Sequence, residues 1–168
     1  MQNHLNKGMT FLEVVMVLLI MGILSVLVLP KITSTEHYSL FVGSRLVRDD
    51  IRYAVDYSTH TGKTVKIVFS VPENFYELME KNPDGSWDYL KRPAMDEEYI
   101  VELGTGAYKD IVLTDVDING MDELLINSQG VPLDKNLIPL QPGGNAFITL
   151  NTRKNIQITP VTALVRME

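Results

Sequence analysis

The sequence predicts an α+β protein in which a long N-terminal helix packs on a mainly antiparallel β-sheet domain. Three patterns in its 168 residues support this prediction. An uncharged apolar run covers residues 14–29, apolar side chains then recur every three or four residues up to Thr61, and alternation with a period of two begins after Gly62. The absence of cysteine excludes a disulfide framework and any thiolate site.

The first part of the predicted helix is strongly apolar. At about 1.5 Å per residue, residues 9–30 span about 33 Å, close to the hydrocarbon core of a bilayer. We therefore predict a hydrophobic transmembrane or filament-core helix over these residues. No small-residue cleavage site follows the apolar run, whereas Gly8 precedes it. Cleavage after Gly8 would leave the hydrophobic helix at the new N-terminus.

Glu13 is a carboxylate inside this apolar segment. Placing a charge in the middle of a membrane span costs about 2.5–3.5 kcal/mol on insertion scales, so its presence requires an explanation. One interpretation is structural, because Glu13 lies one turn from Met9 and would be hydrated at a membrane edge. The other interpretation is that Glu13 pairs with a cation, such as the α-amine that cleavage between Gly8 and Met9 would create in a neighbouring subunit.

Residues 31–62 are predicted to form the amphipathic half of the same helix. Pro30 is expected to bend the helix rather than end it, and Gly62 is expected to end it. The predicted helix is therefore continuous over residues 10–61. The residues that share its buried face are Leu40, Gly43, Val47, Ile51, Ala54, Val55 and Ser58.

Residues 63–168 are predicted to form a β-rich globular domain. Turn clusters rich in glycine, proline and asparagine separate its strand candidates, as in an antiparallel sheet. The predicted strands cover residues 65–69, 75–80, 87–90, 99–103, 111–118, 123–127, 146–151, 155–159 and 163–167.

The N-terminus resembles the class III signal of type IV prepilins and of type II secretion pseudopilins. The residues that carry this resemblance precede an apolar run that ends at Pro30, and they read Lys7-Gly8-Met9-Thr10-Phe11-Leu12-Glu13-Val14-Val15. The resemblance implies that residues 1–8 are a leader peptide, which prepilin peptidase removes between Gly8 and Met9. It also implies N-methylation of Met9 and a role of Glu13 in subunit assembly. The family most often has phenylalanine at the position of Met9.

The β-rich part is similar to the GspH/FimT-like pseudopilin domain, which implies a pseudopilin fold. The similarity rests on the strand at 64–70, Tyr76, the stretch 124–127 before Gln129-Gly130, and the closing pair 146–150 and 156–160. DNA-binding members of that group end in a glycine–arginine–x–arginine tail. The matching stretch here, residues 162–166, has Ala163 and the single arginine Arg166.

The resemblance implies a minor pseudopilin or pilin-like subunit of a type II secretion pseudopilus or a type IV pilus, with a role in protein export. It implies a single-pass protein of the inner membrane, whose C-terminal domain is periplasmic or extracellular and which enters a filament after processing. The expected partners are prepilin peptidase, other pseudopilins or pilins, the assembly platform and the inner membrane.

Two alternatives remain open at this point. One is a minor pilin of a DNA-uptake or adhesion pilus that contacts DNA or a substrate at the tip. The net charge of −6 argues against DNA as a partner, because DNA binding depends on neutralising phosphates. The other is a simple membrane-anchored protein whose outer domain binds a partner.

Residues 115–120, Asp-Val-Asp-Ile-Asn-Gly, resemble the opening of a calcium loop. Asp115, Asp117 and Asn119 are the candidate ligands, but Ile126 stands where an EF-hand needs a bidentate glutamate. A turn through Asn119-Gly120 is the favoured interpretation. No other constellation indicates a metal or cofactor, and the sequence shows no catalytic motif, so we predict no enzymatic activity.

Overall fold

The computed structural model describes residues 10–32, 35–93, 95–141, 144, 146–158 and 165–167, with side chains for residues 10–24, 38–93, 95–141, 144 and 146–158. The chain divides into two compact units, which meet in sequence between Tyr38 and Ser39. The elements in chain order are α1 (Phe11–Ile32), α2 (Thr35–Thr61), β1 (Val65–Ser70), β2 (Phe75–Lys81), β3 (Trp87–Tyr89), β4 (Ile100–Glu102), a short 3-10 helix (Gly106–Tyr108), β5 (Leu113–Ile118), β6 (Glu123–Ile126), β7 (Pro132–Leu133), β8 (Ala146–Leu150), β9 (Lys154–Ile158) and β10 (Val165–Met167).

The single long N-terminal helix of the predicted fold class is absent, because α1 ends at Ile32 and α2 begins at Thr35. Pro30 lacks an N–H group, and its ring clashes with the carbonyl one turn earlier, which weakens the helix near this point. Hydroxyl residues, which favour helix ends over helix interiors, follow at positions 33–35 of the sequence. The predicted pseudopilin fold is thus corrected to two shorter helices followed by antiparallel sheets.

The prediction of a transmembrane helix is also corrected. Within the residues that the structure describes, no helix combines the length and the apolar character needed to cross a membrane. This finding contradicts the transmembrane helix over residues 9–30 and the single-pass inner-membrane location.

Ten strands in the described residues form two sheets, and all of their pairings are antiparallel. The first sheet has the order β3-β2-β1-β6-β7, and β4 pairs with β2 as well. Leu90 N–H donates to Leu78 O, and Leu78 N–H donates to Tyr99 O, so the residues that follow β3 and precede β4 share the same side of β2. The second sheet has the order β10-β9-β8-β5.

The core of residues 39–168 joins α2 to both sheets. Side chains in β1 alternate between buried and half-buried, because successive residues of a strand point to opposite faces. The buried set includes Leu40, Val47, Ile51 and Ala54 from α2, Val65, Ile67, Phe69, Tyr76 and Leu78 from the first sheet, and Ile118, Ile148, Leu150, Ile156 and Ile158 from the second sheet.

Two glycines have distinct roles in α2: Gly62 ends the helix, and Gly43 lies within it at a close contact with Ile111. Gly62 has a φ of 71°, and its N–H donates to Ser58 O, so it ends the helix in the left-handed conformation that glycine tolerates. Gly43 faces the buried side chain of Ile111, and a Cβ at position 43 would lie 2.6 Å from Ile111 Cδ1. A larger residue therefore does not fit at position 43 without a change in Ile111.

Candidate functional site

The predicted processing residues, Gly8 and Met9, lie outside the described residues, which begin at Thr10. The predicted assembly residue, Glu13, lies in the first turn of α1 with an exposed side chain. Of Gly8, Met9 and Glu13, the structure therefore describes only Glu13, whose side chain is accessible at the start of an apolar helix.

Thr10 and Glu13 form a reciprocal pair of hydrogen bonds. Glu13 N–H donates to Thr10 Oγ1 at 3.3 Å, and Thr10 N–H donates to Glu13 Oε2 at 3.2 Å. This is the geometry of a capping box, with threonine at the N-cap and glutamate three residues later. The sequence reasoning missed this role, although the spacing Thr-x-x-Glu is its signature. Glu13 therefore stabilises its own helix as well as carrying a charge.

The α1 helix displays apolar side chains in every direction. Residues 11–24 are all exposed, and the exposed fractions of their large apolar side chains range from 39% for Val14 to 86% for Phe11. Soluble monomers rarely expose continuous apolar patches of more than a few hundred Å², and larger patches mark sites of association. We therefore expect another apolar surface to cover the exposed side chains of α1.

The candidate calcium ligands form a tight turn. Asp115 and Asp117 belong to β5, and Asn119 and Gly120 follow with φ angles of 54° and 82°. Gly120 N–H donates to Asp117 Oδ1 at 2.6 Å, and Asn119 Nδ2 lies 3.4 Å from Asp134 Oδ2. These polar groups shape the turn in which the chain passes from the second sheet to the first. No cluster of three or more candidate metal-binding side chains occurs among the described residues.

A buried carboxylate, Asp50, lies on α2 and was not singled out from the sequence. It is 6% exposed, and each of its oxygens accepts a hydrogen bond from a tyrosine hydroxyl. Tyr76 donates to Oδ2 at 2.5 Å, and Tyr99 donates to Oδ1 at 2.9 Å. The sequence signal was available, because Asp50 shares the apolar helix face of Val47 and Ala54, three residues before it and four after it.

The electrostatics of this cluster follow from its burial. Burial raises the pKa of Asp50, and the two tyrosine hydrogen bonds oppose that rise. Burial and the adjacent Asp50 raise the pKa values of Tyr76 and Tyr99, so both hydroxyls keep their protons and act as donors. The arrangement fixes Asp50 against β2 and against the residue that precedes β4.

An open cleft of about 600 Å³ lies beside Asp50. Its wall combines residues of α2, the segment before β4, β4 itself and the 3-10 helix. These residues are Leu46, Asp50, Arg92, Pro93, Met95, Tyr99, Ile100, Val101, Glu102, Thr105, Gly106, Ala107 and Tyr108. The volume is within the range of small-molecule pockets, roughly 300–1,000 Å³.

Among the described residues that line this cleft, Arg92 carries the positive charge. Its Nη2 donates to Ile100 O, and its guanidinium carbon lies 5.6 Å from the centre of the Tyr99 ring. Its Nε is buried and has no hydrogen-bond partner among the described residues. An unpaired buried donor is uncommon in folded proteins and requires an explanation.

Lys63, two residues before β1, has an acidic neighbour on β2. Lys63 Nζ lies 2.8 Å from Glu80 Oε1, and Tyr57 donates to Glu80 Oε2 at 2.6 Å. Burial tends to raise the pKa of Glu80, but these two hydrogen bonds outweigh it and the pKa is lowered. Burial and Glu80 raise the pKa of Tyr57 to about 12.

The single tryptophan, Trp87, lies between two lysines. Lys66 Nζ is 4.7 Å from the centre of its ring, and Lys81 Nζ is 5.9 Å from it.

Comparison with protein families, curated proteins and solved structures finds no match to this chain.

Proposed function

We propose that the chain is a non-catalytic subunit of a pilin-like filament, either a type II secretion pseudopilus or a type IV pilus, with a role in protein export. Prepilin peptidase cuts it between Gly8 and Met9 and methylates Met9, and an assembly platform adds it to other pilin-like subunits. The observation that carries the proposal is the apolar surface of α1, exposed from Phe11 to Leu24 and preceded in sequence by the prepilin-like motif.

The chemistry of α1 favours association with helices of the same kind. A helix that is apolar all round gains stability in proportion to the apolar surface removed from water, at about 25 cal/mol per Å², so the gain is largest when its whole circumference is covered. Parallel packing of several copies of α1 would cover every face of each helix. A single partner groove would leave part of the surface exposed.

Glu13 supplies the register of this packing. Its exposed carboxylate lies at the N-terminal end of the apolar surface, one turn from Met9 in sequence. In an apolar assembly an ionised carboxylate is favoured only when it has a cationic partner. The α-amine of Met9 in a neighbouring subunit provides a positive charge at a matching level, so it favours one axial alignment of the helices.

The proposal is tested by the identity of the mature N-terminus in the native host. We expect mass spectrometry to find a peptide that begins at Met9 and carries one added methyl group. Gly8→Val should leave an uncut precursor, whereas Gly22→Ala, a glycine change within α1 and outside the motif, should be processed normally. A mature chain that begins at Met1, or normal cleavage of Gly8→Val, would refute the proposed processing.

A second candidate function is contact between DNA and the filament subunit, and Trp87 favours it. A half-buried aromatic ring flanked by Lys66 and Lys81 suits base stacking and phosphate contact. We would measure DNA binding by the full-length protein at several salt concentrations, with Trp87→Ala as the variant and Tyr38→Ala as an exposed aromatic control. Binding that is absent at low salt would exclude this candidate.

A further inference from the structure

We propose that a second copy of this chain docks on the outer face of the first sheet, through an exposed acidic segment of its own domain. The acidic segment is residues 95–98, Met-Asp-Glu-Glu. The docking surface, called the Trp87 face, consists of Lys66, Met79, Lys81, Trp87 and Tyr89. The contact joins two copies of residues 39–168 without using α1, so it goes beyond the proposed helix packing.

The residues of the Trp87 face lie side by side, opposite the core. Both neighbours of Lys66 along β1 are buried, so Lys66 points away from the core. Lys66 pairs with Met79, and Met79 pairs with Tyr89. Lys81 pairs with Trp87. Cross-strand partners lie on the same face of a sheet, so two cations and two aromatic rings share this surface.

Lys66 and Lys81 are cations without a negative partner. The two ammonium groups lie 4.7 Å and 5.9 Å from the centre of the Trp87 ring. None of the ion pairs between described residues includes either lysine. Because two ammonium groups near one ring repel each other, a bound carboxylate would lower the electrostatic energy of both.

Glu77 limits the size of the anion that fits this surface. It lies on the same face of β2, two residues before Met79, and the Tyr89 hydroxyl hydrogen-bonds to it. A continuous phosphate backbone that passed over the lysines would also meet this carboxylate, whereas a short acidic segment can end before it. The charges therefore favour a few carboxylates over a nucleic acid.

The acidic segment is exposed and only partly neutralised. Residues 95–98 are all exposed, and the side chain of Asp96 is 99% exposed. Lys91 Nζ lies 3.3 Å from Asp96 Oδ1. Glu97 and Glu98, by contrast, have no ion-pair partner in the part of the chain that the structure describes. The segment therefore offers two free carboxylates to the two unpaired lysines of the Trp87 face.

Met95 supplies the apolar part of the same contact. Its side chain is 58% exposed, and it directly precedes the carboxylates. Methionine adapts its shape and makes favourable contacts with aromatic rings. The Trp87 face presents such rings beside the lysines, and Tyr89 is 36% exposed. The two surfaces thus complement each other in charge and in apolar character.

The contact joins unlike surfaces. A copy that uses its acidic segment keeps its own Trp87 face available, so further copies can add in the same way. Contact between like surfaces is disfavoured, because two Trp87 faces would bring four lysines together and two acidic segments would bring their carboxylates together. The charges therefore select the head-to-tail arrangement that a filament needs.

The test is zero-length cross-linking of the full-length protein in detergent solution. A carbodiimide joins a lysine amine to a carboxylate in contact with it, with loss of water. When labelled and unlabelled protein are mixed, mass spectrometry distinguishes links between copies from links within one copy. We expect links between copies from Lys66 or Lys81 to Glu97 or Glu98. Their absence, or links within one copy alone, would overturn the proposal.

Charge reversal makes the test specific. The face variant is Lys66→Glu with Lys81→Glu, and the segment variant is Glu97→Lys with Glu98→Lys. A mixture of the two variants should form links in the reverse sense, from the face of one variant to the segment of the other. Such links also show that both variants fold.

A matched control variant is Arg52→Glu with Lys109→Glu, which makes the same change of charge at two exposed residues elsewhere. Mixed with the segment variant, it should give links at its new carboxylates at least about tenfold less often than the face variant does. Equal yields would show that the links arise from random collisions, and the proposed contact would then be wrong.

The outcome does not depend on the mature N-terminus. A chain that keeps residues 1–8 and still forms the links would refute the proposed processing and support this contact. A chain that begins at Met9 and forms no such links would do the reverse.

Discussion

Thr10 and Glu13 donate main-chain hydrogen bonds to each other's side chains at the first turn of α1. The hydroxyl of Thr10 also lies 3.3 Å from the same carboxylate oxygen of Glu13. The glutamate therefore has an intramolecular role before any neighbouring subunit is present. Loss of Glu13 would remove two things together, a helix cap and a negative charge, and variants are needed that separate them.

Glu13→Gln should separate the two roles of this residue. Glutamine serves a capping box as glutamate does, so we expect α1 to keep its helical first turn while the charge is lost. The variant should be cleaved normally, as judged by N-terminal mass spectrometry, and should fail to enter filaments isolated from cells. Glu13→Val should fail in the same way and should also lose the cap.

Thr10→Val is the matched control for that experiment, because it removes the N-cap oxygen and keeps the Glu13 charge. It should destabilise the first turn of α1 by about 1 kcal/mol and still permit filament entry. If Thr10→Val were excluded from filaments and Glu13→Gln were incorporated, the cap and not the charge would be the requirement for assembly.

Tyr76→Phe should expose the contribution of the buried Asp50 cluster to stability. The substitution removes a hydrogen bond to a buried carboxylate, so the free energy of unfolding should fall by about 1.5–3 kcal/mol in urea titrations. It should also raise the pKa of Asp50 further, because a donor to its charged form is lost. Tyr38→Phe, at an exposed tyrosine, should change the unfolding free energy by less than about 0.5 kcal/mol.

Gly43→Ala should destabilise the domain through overpacking against Ile111. The new Cβ would lie 2.6 Å from Ile111 Cδ1, and Ile111 is buried, so we expect a loss of about 1–3 kcal/mol in the free energy of unfolding. Ile111→Val removes the obstructing methyl group. The double variant should therefore be more stable than Gly43→Ala alone, and additive losses in the two single variants would contradict this account.

Glu80→Gln should reduce the dependence of stability on acidic pH. Because the pKa of Glu80 is lower in the folded state, its stabilising effect is present above the unfolded pKa and is lost as the pH falls through the folded pKa. The wild-type protein should thus lose more stability on acidification than the variant. Because Lys63 is partly exposed, the difference should be about 1 kcal/mol or less by urea unfolding near pH 7 and pH 3.

The parts of the fold that depend on local pattern could be predicted from the sequence. The alternation over residues 65–69 matches β1, the end of α2 at Thr61 matches the glycine that follows it, and the turn at residues 82–85 lies between β2 and β3. In each case the side-chain period or the turn residues determine the structure locally, without a contribution from distant parts of the chain.

The helix boundary and β7 required information that the pattern does not contain. Proline in a helical pattern is compatible with a bend or with an end, and the apolar spacing is the same in both cases. The strand Pro132–Leu133 is too short to show a period, and it exists because Leu125 and Ile126 of β6 pair with it. Its assignment depends on a contact rather than on a sequence pattern.

The candidate cleft could not be predicted because its charged residues are distant in sequence. Asp50 and Arg92 come from α2 and from the segment before β4, and the tertiary fold brings both to the same cleft. Glu13, by contrast, stands out in the sequence because it interrupts an apolar run. Its second role as a helix cap was equally visible in the Thr-x-x-Glu spacing.

The turn at Asn119-Gly120 has a consequence for the chemical lifetime of the protein. An asparagine before a glycine is prone to deamidation, in which the main-chain nitrogen of the glycine attacks the asparagine side chain. Here the Gly120 N–H is engaged by Asp117 Oδ1, so this hydrogen bond restrains the attacking nitrogen. Deamidation of Asn119 would place a new carboxylate beside the buried Asp134 and would remove the amide group that contacts it, so this turn would lose stability as the protein ages.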